Sequence, residues 1–183
     1  MGSVTVAIGA LLAFVPGDDG LAEFTYRSVE ALLGGQAMPK PAGKAPAQGV
    51  FVTIEIAGKV GGCRGTLDPT ELTLEREIQK AVRSGALFDP RYGPVRLKGR
   101  EFKVTLTIVD RLVPVGDIGT LRPEDGLVLR ANGRTGIVLP WEGKDPHTRL
   151  RWAYMKAGVR QGTSAQIEIL KAQRYRYPEE KKR

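Results

Sequence analysis

Residues Val50 to Leu67 read V-F-V-T-I-E-I-A-G-K-V-G-G-C-R-G-T-L. The run Val50–Ile56 is dense in β-branched side chains and predicts a strand. Gly58 turns the chain, and the glycine-rich segment around Cys63 is the return strand. Two strands joined by so short a turn must lie antiparallel, because a parallel pair needs a crossover of a dozen residues or more. A second hairpin is clearer still. Leu127 to Leu139, L-V-L-R-A-N-G-R-T-G-I-V-L, places Asn132-Gly133 between hydrophobic runs, and that dipeptide accepts positive φ at both central turn positions. Glu101–Val109 alternates as a further strand, and a last one covers about Gln166–Tyr177.

Three helices are expected between these strands. Over Gly20–Leu33, Leu21, Phe24, Tyr26, Val29, Leu32 and Leu33 recur at roughly helical spacing, and Gly34-Gly35 stops the run. Asp68-Pro69, with Glu71 three residues after the aspartate, reads as a capping box opening a helix that Gly85 ends. Asp145-Pro146 repeats that signal for a helix with Leu150, Ala153, Tyr154 and Ala157 inward, closed by Gly158. The glycines and prolines of Gly34–Gly49 exclude regular structure there. Strands dominate, with no regular βαβ series. The fold class is therefore α+β, a largely antiparallel sheet with flanking helices.

The chain has 183 residues, enough for one domain with a substantial core. Its single cysteine excludes an internal disulfide, and a reducing compartment follows most simply. Val4–Val15 is almost wholly apolar, but too short to span a bilayer and without the basic flank of a secretory signal. The expectation is no membrane and the cytoplasm, with residues 1–20 as an apolar arm and 178–183 as a basic tail.

Net charge is +8 and unevenly placed. Residues 144–183 carry 11 Lys and Arg against 4 Asp and Glu, while the rest are nearly balanced at 17 against 16. That asymmetry suits RNA or another anionic macromolecule, such as an acidic protein surface; the bland alternative is a solvated basic face that aids solubility. Arg149, Trp152 and Lys156 fall on one helix face opposite the apolar stripe. Arg174 and Arg176 share a face of the last strand. Basic groups beside an aromatic suit a nucleic-acid backbone with a stacked base, although no RRM or KH signature is present.

Cys63 has two readings. As a nucleophile it needs access and a stabilised thiolate. Gly62 and Gly65 would then let a ligand approach the backbone, Arg64 would add charge, and Thr66 would bond a reacting oxygen. As a structural residue it is a small side chain on a strand whose glycines serve packing. Asp89 and Arg91, in F-D-P-R-Y, either pair to fix a loop or line a groove with Cys63. The only histidine, His147, sits at a helix start. One cysteine and one histidine supply no metal-ligand spacing. No Walker or Rossmann fingerprint is present, so no cofactor is expected. Gly133–Gly136 is explained by turn chemistry.

Four landmarks occur in order: G-V-F-V-T-I at Gly49, G-C-R-G-T-L at Gly62, F-D-P-R-Y at Phe88 and G-R-T-G-I-V-L-P at Gly133, with a weaker K-A-G-V at Lys156. On these the chain resembles the AMMECR-one domain family over about residues 21–177. The family signature Leu-Arg-Gly-Cys-Ile-Gly-Thr is met here by V-G-G-C-R-G-T. Gly61 stands in the arginine's slot, and Arg64 stands where the family has isoleucine. Three positions apart, Arg64 faces the other way and cannot replace the missing arginine. The resemblance implies one domain over 1–183 with two closely joined lobes. It also implies association with Memo-type and radical-SAM proteins, and so a part in RNA or other macromolecule modification. Its members are largely uncharacterised. The expected function is an accessory or binding module; the alternatives are an enzyme using Cys63 and a purely structural scaffold.

Overall fold

The computed structural model describes residues 18–178 other than Lys44, Lys98 and Lys144. The apolar stretch Val4–Val15 and the tail beyond Pro178 lie outside them. In chain order the elements are α1 (Asp18–Leu33), β1 (Val50–Ile56), β2 (Lys59–Thr66), α2 (Leu74–Leu87) and β3 (Phe102–Pro114). There follow a 3-10 turn (Ile118–Thr120), β4 (Gly126–Ala131), β5 (Arg134–Val138), α3 (Pro146–Ala157) and β6 (Gln166–Tyr177). The strands form one sheet in the order β2-β1-β3-β6-β4-β5, and every pairing is antiparallel. The α+β class is what the sequence predicts.

β6 explains how the halves join. Its side chains alternate without a bulge. Tyr175 and Tyr177 pack with α1, α2, β1 and β3 in the first core, and Ile167 and Ile169 pack with α3, β4 and β5 in the second. All four share one parity, so the three helices cover the same face of the sheet. Leu170 and Ala172 have the other parity. They meet Phe51, Val109, Val128 and Ile137 in a third cluster that draws the two halves of the sheet together on its inner face. That inner face carries the cleft described below.

Local chemistry accounts for the hairpins and caps. Asn132 and Gly133 both take positive φ, 51° and 70°, as a two-residue β-turn of this hand requires. Asp145 caps α3 by accepting from the Thr148 N–H at 2.6 Å. Gly158, at φ 65°, closes the helix in the left-handed conformation, and the Val159 N–H bonds the Tyr154 carbonyl.

Two expectations need correction. Asp68-Pro69 does not open a helix: α2 begins at Leu74, with Thr73 as its first flanking residue. Glu77, in the first turn, reaches back to accept the Thr70 and Glu71 N–H groups at 2.7 and 2.8 Å. The reach-back of a capping box is therefore present, but it organises the loop before the helix. Nor does Gly85 end α2, which runs on to Leu87. Gly85 lies where the helix crosses β2, and the close approach is permitted by Gly62 on the strand, where a Cβ would lie 2.2 Å from the Gly85 carbonyl oxygen. In α1 the buried stripe includes Thr25 and Ser28, whose hydroxyls donate back to the carbonyls of Leu21 and Phe24. Tyr26 is partly buried, its ring stacked on Phe102 with centroids 4.2 Å apart.

Candidate functional site: a cleft around Cys63

β2 is an edge strand, so half of its backbone groups face away from β1. At Cys63 the loop after α2 satisfies them. The Cys63 N–H donates to Asp89 Oδ2 at 2.9 Å, and Arg91 Nη2 donates to the Cys63 carbonyl at 2.7 Å. Arg91 Nε and Nη2 also grip both Asp89 oxygens, at 3.0 and 2.8 Å. Asp89 and Arg91 therefore pair to fix the loop and clamp the cysteine's peptide groups at once. Because those groups point outward, Cys63 and its partner Thr53 form a non-hydrogen-bonded pair, in which side chains approach closely. The Thr53 hydroxyl donates to Cys63 Sγ at 3.1 Å.

Arg91, the bonded Asp89 carboxyl and Cys63 form one electrostatic unit. Burial raises the Asp89 pKa, but the bonds from Arg91 and the Cys63 N–H outweigh it and hold the carboxyl at about 2. Arg91 is correspondingly raised. Burial pushes the Cys63 thiol up; Glu142 adds to this, while the Thr53 bond and the cations Arg91 and Lys156 oppose it without prevailing. Cys63 is thus a neutral thiol at neutral pH. Alkylation of the native protein, followed across pH by intact mass, is expected to show a midpoint above the ordinary thiol value of about 8.5. A midpoint below that value would restore an activated nucleophile.

The thiol faces the concave side of the sheet, where two adjoining cavities of about 240 and 510 Å³ share Cys63, Arg91, Leu139 and Glu142 in their walls. The smaller has a floor of Thr53, Thr105 and Thr107, with Glu55 and Arg174 beside them. Trp141, 57% exposed, and Tyr92, 46% exposed, stand at its mouth. The larger runs on past Phe51, Arg64, Gly65, Met155 and Lys156. The segment after β5 supplies the far wall. Trp141 is held there at φ 65°, an uncommon conformation for so large a side chain, by the bond from its N–H to the Pro123 carbonyl at 2.8 Å.

The predicted site residues divide. Cys63, Arg64, Gly65, Arg91, Lys156 and Arg174 border the cleft. Thr66 does not. It pairs with Val50, on the helix-facing side, and its hydroxyl donates to Glu77 Oε1 at 3.0 Å. Gly62 likewise faces α2: a Cβ there would lie 2.2 Å from the Gly85 carbonyl oxygen. Both corrections follow from strand alternation, since Gly62 and Thr66 have the opposite parity to Cys63. Arg149 is not on an open face. It is 0% exposed and donates to the Arg122 carbonyl at 2.7 Å. The segment between β5 and α3 lies over it: a Cβ on Gly143 would be 3.3 Å from Arg149 Cγ and 2.8 Å from the Trp152 ring. Lys156 pairs with Glu142 at 2.6 Å, and Arg176 pairs with Glu55. His147 is exposed and lines neither cavity. Among the described residues no cluster of three potential ligands could hold a metal ion, and no helix is long and apolar enough to cross a membrane.

The threonine floor, Glu142 and Trp141 were not singled out from sequence. Thr53, Thr105 and Thr107 look like ordinary strand residues, and only the pairing of β1 with β3 sets them side by side. Gly61, in the slot of the signature arginine, falls at the register shift where β2 pairs with β1.

The landmark segments now have places: β1, β2, the clamp loop and the wall after β5 enclose one cleft. A solved crystal structure of an uncharacterised protein from Pyrococcus horikoshii has the same fold, with TM-score 0.75 at 21% identity, covering 88% of this chain and 91% of that one. A Thermotoga maritima protein is 36% identical over 116 residues, which is 61% of this chain and 67% of its own length. A Thermofilum pendens protein is 28% identical over 87% of this chain and 83% of its own. The family model of AMMECR1 matches residues 22–179, and the chain belongs to that family.

Proposed function

We propose that the chain is a binding module whose cleft holds single-stranded RNA, in the service of a partner that performs the chemistry. The observation that carries this reading is the pairing of Arg174 with Trp141 across one cavity. Arg174 forms no ion pair among the described residues, whereas the cleft carboxylates Glu55 and Glu142 each have a cation. Partial desolvation and the neighbouring Arg176 lower its pKa, so an approaching anion is favoured beside it. Exposed Trp141 offers a face on which a base can stack, and Tyr92, with the Arg91 guanidinium 5.1 Å over one side of its ring, offers its other side; stacking is worth about 1–3 kcal/mol per base. The interface thus moves from the outer face of α3 to the cleft.

The neutral thiol favours binding over nucleophilic catalysis. A Memo-type or radical-SAM protein, the partners the family resemblance implies, would supply the reaction. The test is fluorescence anisotropy of labelled, mixed-sequence single-stranded RNA with the whole chain at rising salt. Affinity is expected to fall steeply with salt as counterions are released. Trp141→Ala and Arg174→Ala are each expected to weaken binding about tenfold. No detectable binding at low salt removes the reading.

A further inference from the structure

The smaller cavity has a property that strand binding alone does not explain. Thr105 is 3% exposed and lines the cavity, yet its hydroxyl has no hydrogen-bond partner. A buried hydroxyl is ordinarily satisfied, and leaving one orphaned is costly. Thr105 sits directly opposite Thr53, and Thr107 opposite Arg174, so the floor presents a hydroxyl row with exposed Arg174 at its rim. Trp141 and Pro140 form walls of the same space.

Three considerations narrow the occupant. The volume, about 240 Å³, is below the roughly 300–1,000 Å³ of drug-sized sites and suits one flat ring system with its sugar. Glu55 and Glu142 in the walls oppose a phosphate or carboxylate driven to the floor. The polar groups include both donors and acceptors, since Arg174 can only donate, carboxylates only accept, and threonine does either. A neutral heteroaromatic ring with mixed edge chemistry meets all three conditions, and its phosphate stays at the mouth near Arg91 and Arg174.

We propose that this cavity is a nucleobase pocket, receiving one unstacked base with its edge on the Thr53–Thr105–Thr107 floor and its face toward Trp141. The proposal rests on the strand-binding reading and deepens it. The base could belong to a strand or to a free nucleotide, and the chemistry is the same.

The experiment uses the whole chain and two comparisons. In the first, a mixture of nucleoside monophosphates competes with labelled RNA, against ribose 5-phosphate as the base-free control. In the second, the RNA is set against the same strand carrying abasic positions. Thr105→Val is carried through both. Competition by the monophosphates but not by ribose 5-phosphate supports a free-nucleotide source. A preference for the base-bearing strand that Thr105→Val diminishes about tenfold supports a strand-borne base. Thr105→Val should leave Tm unchanged or raise it, because the hydroxyl it removes bonds nothing in the free protein; a structural role would lower Tm instead. If RNA binds but Thr105→Val changes neither comparison, the base pocket is wrong and strand binding stands. If the wild-type chain binds no RNA, both fall.

Discussion

Replacing Asp89 with alanine is expected to cost about 3 kcal/mol of stability, read as a fall in the urea midpoint at unchanged slope. The side chain is wholly buried, and it accepts from the Cys63 N–H, the Arg91 N–H and the Arg91 guanidinium. The Coulomb part of this is modest, because Arg91 is 47% exposed and water screens it. The larger part is a strand-edge N–H deprived of its acceptor, together with a void where the carboxyl stood. Asp89→Asn keeps the shape and loses the charge, and should fall between. The same group sets an acid limit. Its folded pKa of about 2 lies below the unfolded value, so its contribution is complete above about pH 4 and lost as pH falls toward 2. That lost contribution amounts to about 2 kcal/mol. Wild type should therefore destabilise across this window more steeply than Asp89→Ala does. Parallel acid curves for the two proteins would dismiss the clamp.

Gly62→Ala and Gly85→Ala, on opposite sides of one contact, are expected to act with opposite signs. A Cβ on Gly62 would lie 2.2 Å from the Gly85 carbonyl oxygen and 3.0 Å from its carbon. That carbonyl belongs to a helix backbone and cannot rotate aside, so α2 must lift from the sheet. Overpacking usually costs about 1–3 kcal/mol, and this backbone collision belongs at or above the top of that range. A Cβ on Gly85 meets nothing nearer than 3.5 Å, the amide nitrogen of Arg64. Alanine there gains up to about 1 kcal/mol of helix propensity. Thermal unfolding of the two variants decides the matter, and equal effects would mean that helix and strand are not in register as described. Gly136 plays the part of Gly62 in the other lobe, its Cβ falling 1.9 Å from the Ala153 carbonyl oxygen on α3.

Much of the fold was legible because local signals agree with it. Val50–Ile56, the Asn132-Gly133 turn and the Asp145 and Gly158 caps each carry their own instructions and form as read. The misreadings share a cause. Asp68-Pro69 is a sound helix start in isolation, yet Thr70 and Glu71 give their N–H groups to Glu77, so tertiary placement overrides the local signal. Arg149 lies on the polar side of a helical wheel, but the segment carrying Gly143 covers that side. Of the site, Cys63, Asp89 and Arg91 were found because a glycine-enclosed thiol and an Asp-Pro-Arg loop stand out in the sequence. The threonine floor was not, since a hydroxyl's missing partner is a fact about three dimensions. Thr66 was misplaced by attending to its nearness to Cys63 in sequence rather than to strand parity.

The position of β6 bears on how the chain is made. The strand is built from residues 166–177, yet it lies between β3 and β4 and belongs to all three hydrophobic clusters. During synthesis, α1, α2 and the β1–β3 layer leave the ribosome with one long edge unpaired, and the β4–β5 hairpin follows with no sheet to join. Neither half can finish until the strand that belongs between them emerges. At about 5–20 residues per second, several seconds separate the appearance of β3 from that of its partner. Throughout that interval the nascent chain exposes a pairing-competent strand, which makes it a candidate for chaperone capture well before it can hold any ligand.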